Sequence, residues 1–354
     1  MTTVQALDFA SYPLHVNLLV FACAAGAVWL AGTRVVDYAD QLARATGIGG
    51  GMIGLVLLGG ITSLPEIAVG VSAAWSGLPA LAVNNLVGGI AMQKAILAAT
   101  DGFIGRQALT VIAASPSLLL QCGFSIFMLV IVAMAIVAGD SPLGPVGWWA
   151  WALPLAYIVS VWVISASRAT PAWQPRAVPG DAGAADSEQP EASGASGVAL
   201  RSVALGIAVA GAGIFVAGFV LSATADALAE QTGLGANFVG AALLALATSL
   251  PELSTVIAAM RLRRYEMAIG DIMGTSMFNL LLIFLVDAIY SGPPVLGQAG
   301  TFSLFAVLLC ILMSTIYLVG LVERNNRTIA RFGIDSLLIL LVYGGGMLLL
   351  FRMR

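Results

Sequence analysis

Apolar runs separated by short polar breaks fill the chain, at approximately 14–31, 50–75, 78–101, 117–138, 146–167, 199–222, 234–260, 266–289, 300–322 and 333–351. Most reach the ~20 residues that a helix needs to cross a bilayer. The pattern therefore predicts an all-α membrane protein of ten transmembrane helices. Two runs hold residues that lipid disfavours. Thr62-Ser63-Leu64-Pro65-Glu66, in the second run, recurs as Thr248-Ser249-Leu250-Pro251-Glu252 in the seventh, 186 residues later. A charge near the bilayer centre costs roughly 2.5–3.5 kcal/mol on insertion scales, so unneeded ones are rare. Each proline removes a backbone donor and disturbs the turn before it, which frees carbonyls near Ile61 and Ala247. Helices 2 and 7 are thus expected to be broken at Pro65 and Pro251.

The repetition is wider than the pentapeptide. Residues 40–101 align with 226–287 without a gap, and about eighteen of the sixty-two positions are identical. The matches include Asp40/Asp226, Thr46/Thr232, Gly47/Gly233, Gly49/Gly235, Gly54/Gly240, Gly88/Gly274 and Asp101/Asp287. Random apolar segments share Leu and Ala, but not a gapless string of Gly, Pro, Thr, Ser and Glu. Each half carries five predicted helices, an odd number, so the second half enters the membrane from the opposite side. The expectation is two inverted-topology five-helix repeats, 1–167 and 201–354. Secondary transporters use this arrangement to build a midmembrane site where discontinuous helices meet. The segment 168–200 is rich in Pro, Gly, Ala, Ser and acids, and reads as a flexible cytoplasmic linker.

Composition agrees, since 60% hydrophobic and 9% charged residues with 40 glycines exclude an ordinary soluble domain. Glycine suits close helix packing in lipid. The first run lacks a basic leader and a cleavage site, so it reads as a retained helix rather than a signal peptide. Placement of charge adds an orientation. Arg34, Arg44, Arg106, Arg168, Arg176, Arg201, Arg261, Arg263, Arg264, Arg324, Arg327 and Arg331 all fall in loops 1–2, 3–4, 5–6, 7–8 and 9–10. The other loops and the N-terminus hold none, and Arg352 and Arg354 lie in the tail. The positive-inside rule then puts those five loops in the cytoplasm and both termini outside a plasma (inner) membrane. Cys23, Cys122 and Cys310 lie far apart and read as small packed residues. The single histidine, His15, reads as interfacial and argues against a zinc site or a histidine-based triad. Nothing indicates nucleic-acid binding or an organic cofactor, and oligomeric state is not encoded legibly.

Thr62 and Glu66 are four apart and share a helix face, as do Thr248 and Glu252. A hard cation such as Ca2+ wants about 6–8 oxygens at ~2.3–2.6 Å. The two segments offer carboxylates, the hydroxyls of Thr62, Ser63, Thr248 and Ser249, and freed carbonyls. The same cage would hold two or more Na+, or its glutamates would take protons, so exchange by competition follows. Downstream, polar residues recur among apolar ones as on a cavity-lining helix. Asn85 and Asp271 occupy equivalent positions there, as do Gln93 and Asn279. Gly88 and Gly274 are expected to permit close packing.

These residues resemble the calcium:cation antiporter superfamily, which includes the sodium/calcium exchangers. Its two repeats are similar in having a Gly-Thr-Ser-Leu-Pro-Glu-like element followed by a Gly-Asn-x-x-Gly-Ser-Asn-x-x-Asn/Asp-like element. The resemblance implies a ten-helix antiporter with Glu66 and Glu252 at its centre and Thr62, Ser63, Thr248 and Ser249 alongside. Gln93, Thr275 and Asn279 would complete the ion shell. The chain also departs from that pattern. Asn84, Gly89, Ile90 and Gln93 replace Gly, Ser, Asn and Asn/Asp in the first repeat. Asp271, Thr275 and Ser276 replace Asn, Ser and Asn in the second. Ion number and identity therefore do not transfer, whereas the pentapeptide core does.

Lys94 is the only basic residue in the interior of a predicted helix, away from its ends. Its stem is expected to snorkel to the cytoplasmic interface; the sharper reading has its ammonium pair with Asp271 or Glu66 in place of a monovalent ion. Asp101 and Asp287 end equivalent helices and read as loop-start caps. The resulting expectation is an alternating-access antiporter of Ca2+ against Na+ or H+. An antiporter of the same fold for Mg2+, Mn2+ or Na+/H+ exchange is the alternative. A membrane enzyme is disfavoured, because no nucleophile–histidine pair or metal-ligand set accompanies the glutamates.

Overall fold

A computed structural model describes residues 9–353 except 76, 104–106, 114, 170–199, 232–244, 247, 325–326 and 330. Its long elements are helices: α1 (Leu14–Thr46), α2 (Gly50–Thr62), α3 (Leu64–Trp75), α4 (Pro79–Asp101), α5 (Pro116–Ala138), α6 (Trp148–Ala169), α7 (Leu200–Gln231), α8 (Leu250–Arg261), α9 (Tyr265–Ile289), α10 (Thr301–Glu323) and α11 (Ile334–Met353). Two short hairpins join them. Strands β1 (Pro142–Leu143) and β2 (Val146–Gly147) lie between α5 and α6, and β3 (Thr328–Ile329) and β4 (Phe332–Gly333) between α10 and α11. Among the described residues eight helices are long and apolar enough to cross a membrane, or nine if α2 and α3 form one bent span. The run expected at 234–260 falls partly outside the described residues, and so does nearly all of the linker at 168–200.

Burial identifies the centre. In α4 and α9, 72% and 67% of the apolar window is buried, against 17–44% in the other spans. Helix α9 packs on α2 to α6, and α4 packs on α3, α8, α9, α10 and α11. Helices α1 and α7 lie along one another outside this centre, touching it through α8 and α3 respectively. Glycine lets α2 approach α9. A Cβ on Gly54 would sit 2.5 Å from the Met267 carbonyl oxygen, and one on Gly59 would sit 2.7 Å from the Thr275 amide nitrogen. Gly274 lies equally tight against Leu55, whereas a Cβ on Gly88 would meet nothing within 4 Å. The expected packing role therefore holds for Gly274 and fails for Gly88.

Two expectations about helix ends change. The first helix does not stop near residue 31. No breaker follows until Gly47, which adopts φ 69° and returns its N–H to the Ala43 carbonyl. The resulting 33 residues span about 50 Å, beyond the ~30 Å hydrocarbon layer. Arg34 and Arg44, assigned to a loop from the sequence, thus lie on α1 itself. Arg44 there pairs with Asp40 at 2.7 Å, and Asp40 also accepts from Arg264 at 2.5 Å. The second change concerns the prolines. Helices α2 and α3 meet at Ser63 with a 42° bend, and Pro65 is the second residue of α3. Pro251 likewise occupies the first turn of α8 behind Ser249. There the missing N–H leaves no intrahelical bond unmade. The Ile61 carbonyl accepts the Ser63 amide rather than standing free, and Ala247 lies outside the described residues.

The 186-residue offset reappears in three dimensions. It maps β1–β2 onto β3–β4, and it maps Asp101 onto Asp287. Asp101 Oδ1 accepts from the Leu109 amide at 2.7 Å and Oδ2 from the Gly333 amide at 2.6 Å. Asp287 Oδ1 accepts from Val295 at 2.7 Å and Oδ2 from Gly147 at 2.6 Å. Each aspartate caps its own loop, as expected, and also clasps the hairpin of the other half. Cys122 and Cys310 are packed, but Cys23 is exposed on the outer face of α1.

Candidate functional site

The bend at Ser63 and the start of α8 present the two pentapeptides to α4 and α9. Thr62, Ser63, Glu66, Thr248, Ser249 and Glu252 are all buried. Neither oxygen of Glu66 has a hydrogen-bond partner among the described residues, and neither does Oε2 of Glu252. The other oxygen of Glu252 accepts from Gln93 Nε2 on α4 at 3.4 Å. No ion pair reaches any of these carboxylates among the described residues.

Helix α9 supplies the facing wall. Thr275 Oγ1 lies 3.0 Å from Thr62 Oγ1 and donates to the Asp271 carbonyl at 2.9 Å. Asp271 is buried, with Oδ1 3.5 Å from the Thr62 hydroxyl. Its Oδ2 accepts a short bond from Thr255, whose hydroxyl also lies 3.0 Å from the Glu252 carbonyl oxygen. Asn279 is buried with both amide atoms unpartnered, and its Nδ2 faces Gly89. Ser63 and Thr248 turn their hydroxyl protons back onto the Gly59 and Ala245 carbonyls at 2.7 and 3.3 Å. Their oxygens keep lone pairs for another partner. Asn85 is buried with its Nδ2 unpartnered, but no hydrogen bond joins it to the glutamates. Hydrogen bonds thus join Glu252 to Gln93, and Thr62 to Thr275 and Asp271.

What remains is a set of buried acceptors without donors: Glu66 Oε1 and Oε2, Glu252 Oε2, Gln93 Oε1 and Asn279 Oδ1. Leaving such groups unpaired costs about 1–3 kcal/mol each, more when charged. Cations or protons would satisfy them. Among the described residues no three acidic, histidine or cysteine side chains converge as a ready-made metal cluster. Any cation here would be held by carboxylates mixed with hydroxyls and amides, the oxygen set that hard cations prefer.

The sodium/calcium exchanger protein family matches residues 16–166 and again 202–352. The chain belongs to this family. It is a multi-pass membrane protein of a sodium/calcium exchanger-type antiporter family. It is 26% identical over 345 residues to the putative antiporter CaxA of Alkalimonas amylolytica, covering 92% of this chain and 95% of that protein. A shorter likeness, 30% over 123 residues, links it to the probable sodium/potassium/calcium exchanger CG1090 of Drosophila melanogaster, covering 35% of this chain and 18% of the relative. In fold it is similar to the sodium-calcium exchanger NCX_Mj, soaked with Na+ and Sr2+, at a TM-score of 0.68 and 15% identity, covering 94% of this chain and 97% of that one.

Two polar residues beside the candidate site were not among the expected ligands: Thr255, and Ser276, which the sequence marks only as a departure from the family pattern. Each faces a charged side chain, Asp271 and Lys94 respectively. Thr255 lies three residues after Glu252, on the same helix face, and that spacing was the available signal. The repeat concealed both, because their counterparts are the apolar Val69 and Ile90. The expected snorkelling of Lys94 is not met. Its side chain is fully buried, with α9, α10 and α11 packed around its helix. The pairing with Asp271 or Glu66 is not formed either; Nζ donates to Ser276 Oγ at 3.2 Å.

Proposed function

We propose that this protein exchanges Ca2+ for Na+ or H+ by alternating access, with the cargo ion held between Glu66 and Glu252. The observation that carries this reading is the pair of fully buried glutamates with three of four carboxylate oxygens unpartnered and no basic neighbour in contact. Two carboxylates balance one divalent ion. Thr62, Ser63, Thr248, Ser249, Gln93, Asp271, Thr275 and Asn279 would supply further oxygens, with Asn85 at the edge of the set. Monovalent ions or protons then compete for the same oxygens, and that competition is the exchange. No covalent chemistry on the cargo is required, so the protein acts as a transporter and not as an enzyme.

Alternation needs a scaffold able to open on either side. The match of one family to each half, the duplicated hairpins and the reciprocal aspartate clasps support two inverted five-helix repeats. In this reading the chain has ten membrane helices interrupted at the two pentapeptides, a cytoplasmic linker at 168–200 and both termini outside the plasma membrane. The third buried carboxylate, Asp271, favours one second reading, an antiporter of the same fold for a different cation such as Mg2+ or Mn2+, or Na+/H+ exchange without calcium. Purified protein in liposomes tests both. Radiolabelled Ca2+ uptake should require an outward Na+ or proton gradient and stop when the gradient is removed. Uptake of Mn2+ or Mg2+ in place of Ca2+ would select the second reading, and uptake without any counter-gradient would refute antiport.

A further inference from the structure

The outer surface of α10 and α11 also departs from the internal repeat, far from the glutamate pair in sequence. A hollow of about 390 Å3 opens between the last turns of α10 and the first turn of α11. Ile316, Val319, Ile334 and Leu338 form its apolar walls, and Glu323, Arg327 and Asp335 line it at the end nearest the α10–α11 loop. A second hollow of about 350 Å3, with Leu318 and Val322, shares Val319 and Glu323 with the first. Val319, Val322, Ile334 and Leu338 stay 45–65% exposed, so the described residues leave this surface uncovered. The loop carries Arg324, Arg327 and Arg331, and such a concentration of arginine beside apolar helices marks the membrane–water boundary.

The scaffold does not need these charges. Under the 186-residue offset Gly320, Glu323, Arg327, Ile334 and Asp335 map onto Met134, Val137, Ser141, Trp148 and Trp149. The backbone is the same in both halves: the Ile334 amide donates to the Arg327 carbonyl at 3.2 Å, and the Trp148 amide to the Ser141 carbonyl at 3.0 Å. In one half the surface is filled by Met134 and by Trp148 and Trp149, whose rings are 4.1 Å apart. In the other, Gly320 makes room for an acid, because a Cβ there would collide with the Asp335 carboxylate. Asp335 accepts from the Thr110 hydroxyl at 2.6 Å and the Ser336 amide at 2.9 Å, and each of its oxygens keeps a further lone pair. The Arg327 guanidinium is exposed and makes no hydrogen bond or ion pair among the described residues.

We infer that this groove binds one membrane phospholipid with a primary-amine headgroup. Charge complementarity selects the headgroup. Arg327 offers a guanidinium fork to a phosphate, while Glu323 and Asp335 offer carboxylates to an ammonium beside it. Two acids against one arginine disfavour a headgroup of net negative charge. A quaternary ammonium has no N–H to donate, so it forfeits the hydrogen bonds that a primary amine makes with the acids. The two hollows on either side of Val319 and Glu323 fit the two acyl chains of a single lipid. This site is independent of the glutamate pair and of the antiport reading.

Native mass spectrometry of the purified chain in detergent tests this, with phosphatidylethanolamine, phosphatidylcholine and phosphatidylglycerol of identical acyl chains as probes. One phosphatidylethanolamine per chain should be retained, at a concentration about tenfold below that needed for either other lipid. Arg327→Ser, which installs the residue of the other half, should require about fivefold more phosphatidylethanolamine. Glu323→Gln should narrow the preference for ethanolamine over choline. Equal retention of the ethanolamine and choline lipids by the wild type overturns the headgroup assignment. A preference for phosphatidylglycerol overturns it as well, since Arg327 alone would then be attracting an anion. Retention of several lipids without preference, or of none, removes the groove as a site without recourse to any variant. Unchanged affinity in Arg327→Ser would place the bound lipid elsewhere and also overturn the inference.

Discussion

The ends of the two central helices and their middles obey the internal repeat to different degrees. At the ends, Asp101 and Asp287 make the same two bonds to the same two classes of amide, with lengths of 2.7 and 2.6 Å in each case. In the middle, Asp271, Thr255, Lys94 and Ser276 stand opposite Asn85, Val69, Leu280 and Ile90. The clasps hold each half to the other and belong to the scaffold. In the proposed reading the middle binds the cargo ion, and a symmetric ligand set is not required there. Duplication has been kept in the clasps and lost at these four central positions.

Breaking the shared part of the centre should have the largest effect. Glu66→Gln and Glu252→Gln are each expected to reduce divalent transport by more than the roughly 10–100-fold that loss of even an outer-shell ligand partner costs. Full exchange by either variant in proteoliposomes would contradict the ligand assignment. The clasps come next, and there the two halves should behave alike. Asp101→Asn and Asp287→Asn each weaken a charged bond to a buried amide, at a cost of about 1–3 kcal/mol. Thermal unfolding in detergent should show similar losses for both, and a loss confined to one would show that the clasps are not equivalent.

The unshared part of the centre should respond asymmetrically. Thr255→Val removes a bond to a buried carboxylate worth about 1.5–3 kcal/mol, so divalent affinity should fall by about ten- to a hundredfold. Val69→Thr, its mirror, should leave affinity unchanged, and equal effects would undo the contrast. The smallest effect is expected at Asp140, in the turn after α5. Burial, and then the charge of Asp287, raise its pKa above the ordinary aspartate value. A carboxyl raised in this way contributes stability while protonated and loses it as pH rises through the folded value. Asp140→Asn should therefore raise the unfolding midpoint slightly at pH 7 and leave it unchanged below about pH 4. An equal shift at both would deny the protonation its part.

The same contrast explains what could be read from the chain itself. Apolar runs gave the helices, because lipid demands continuous hydrophobicity, and the doubled pentapeptide marked the candidate site, because buried glutamate and proline are rare there. Matching one half against the other finds only what both retain. It therefore exposed Glu66 and Glu252 and passed over Thr255 and Ser276, whose mates are apolar. Asp101 and Asp287 were visible as identities, but their partners are backbone amides that no side chain announces. Lys94 was read as snorkelling from its distance to the helix end. That distance is irrelevant once α9, α10 and α11 close around it. The length of α1 was misjudged for a related reason: arginine at 34 and 44 looks like the end of a membrane helix, yet nothing in the backbone chemistry stops the helix before Gly47.

The assignment of cargo to the glutamate pair is tested most directly by an experimental density map of the protein equilibrated with Ca2+. The account predicts a single cation bonded to the carboxylates of both Glu66 and Glu252, with hydroxyl oxygens from the two pentapeptides beside it. A Ca2+ ion bound by only one of the two glutamates, or found only at Asp101 and Asp287, would contradict it.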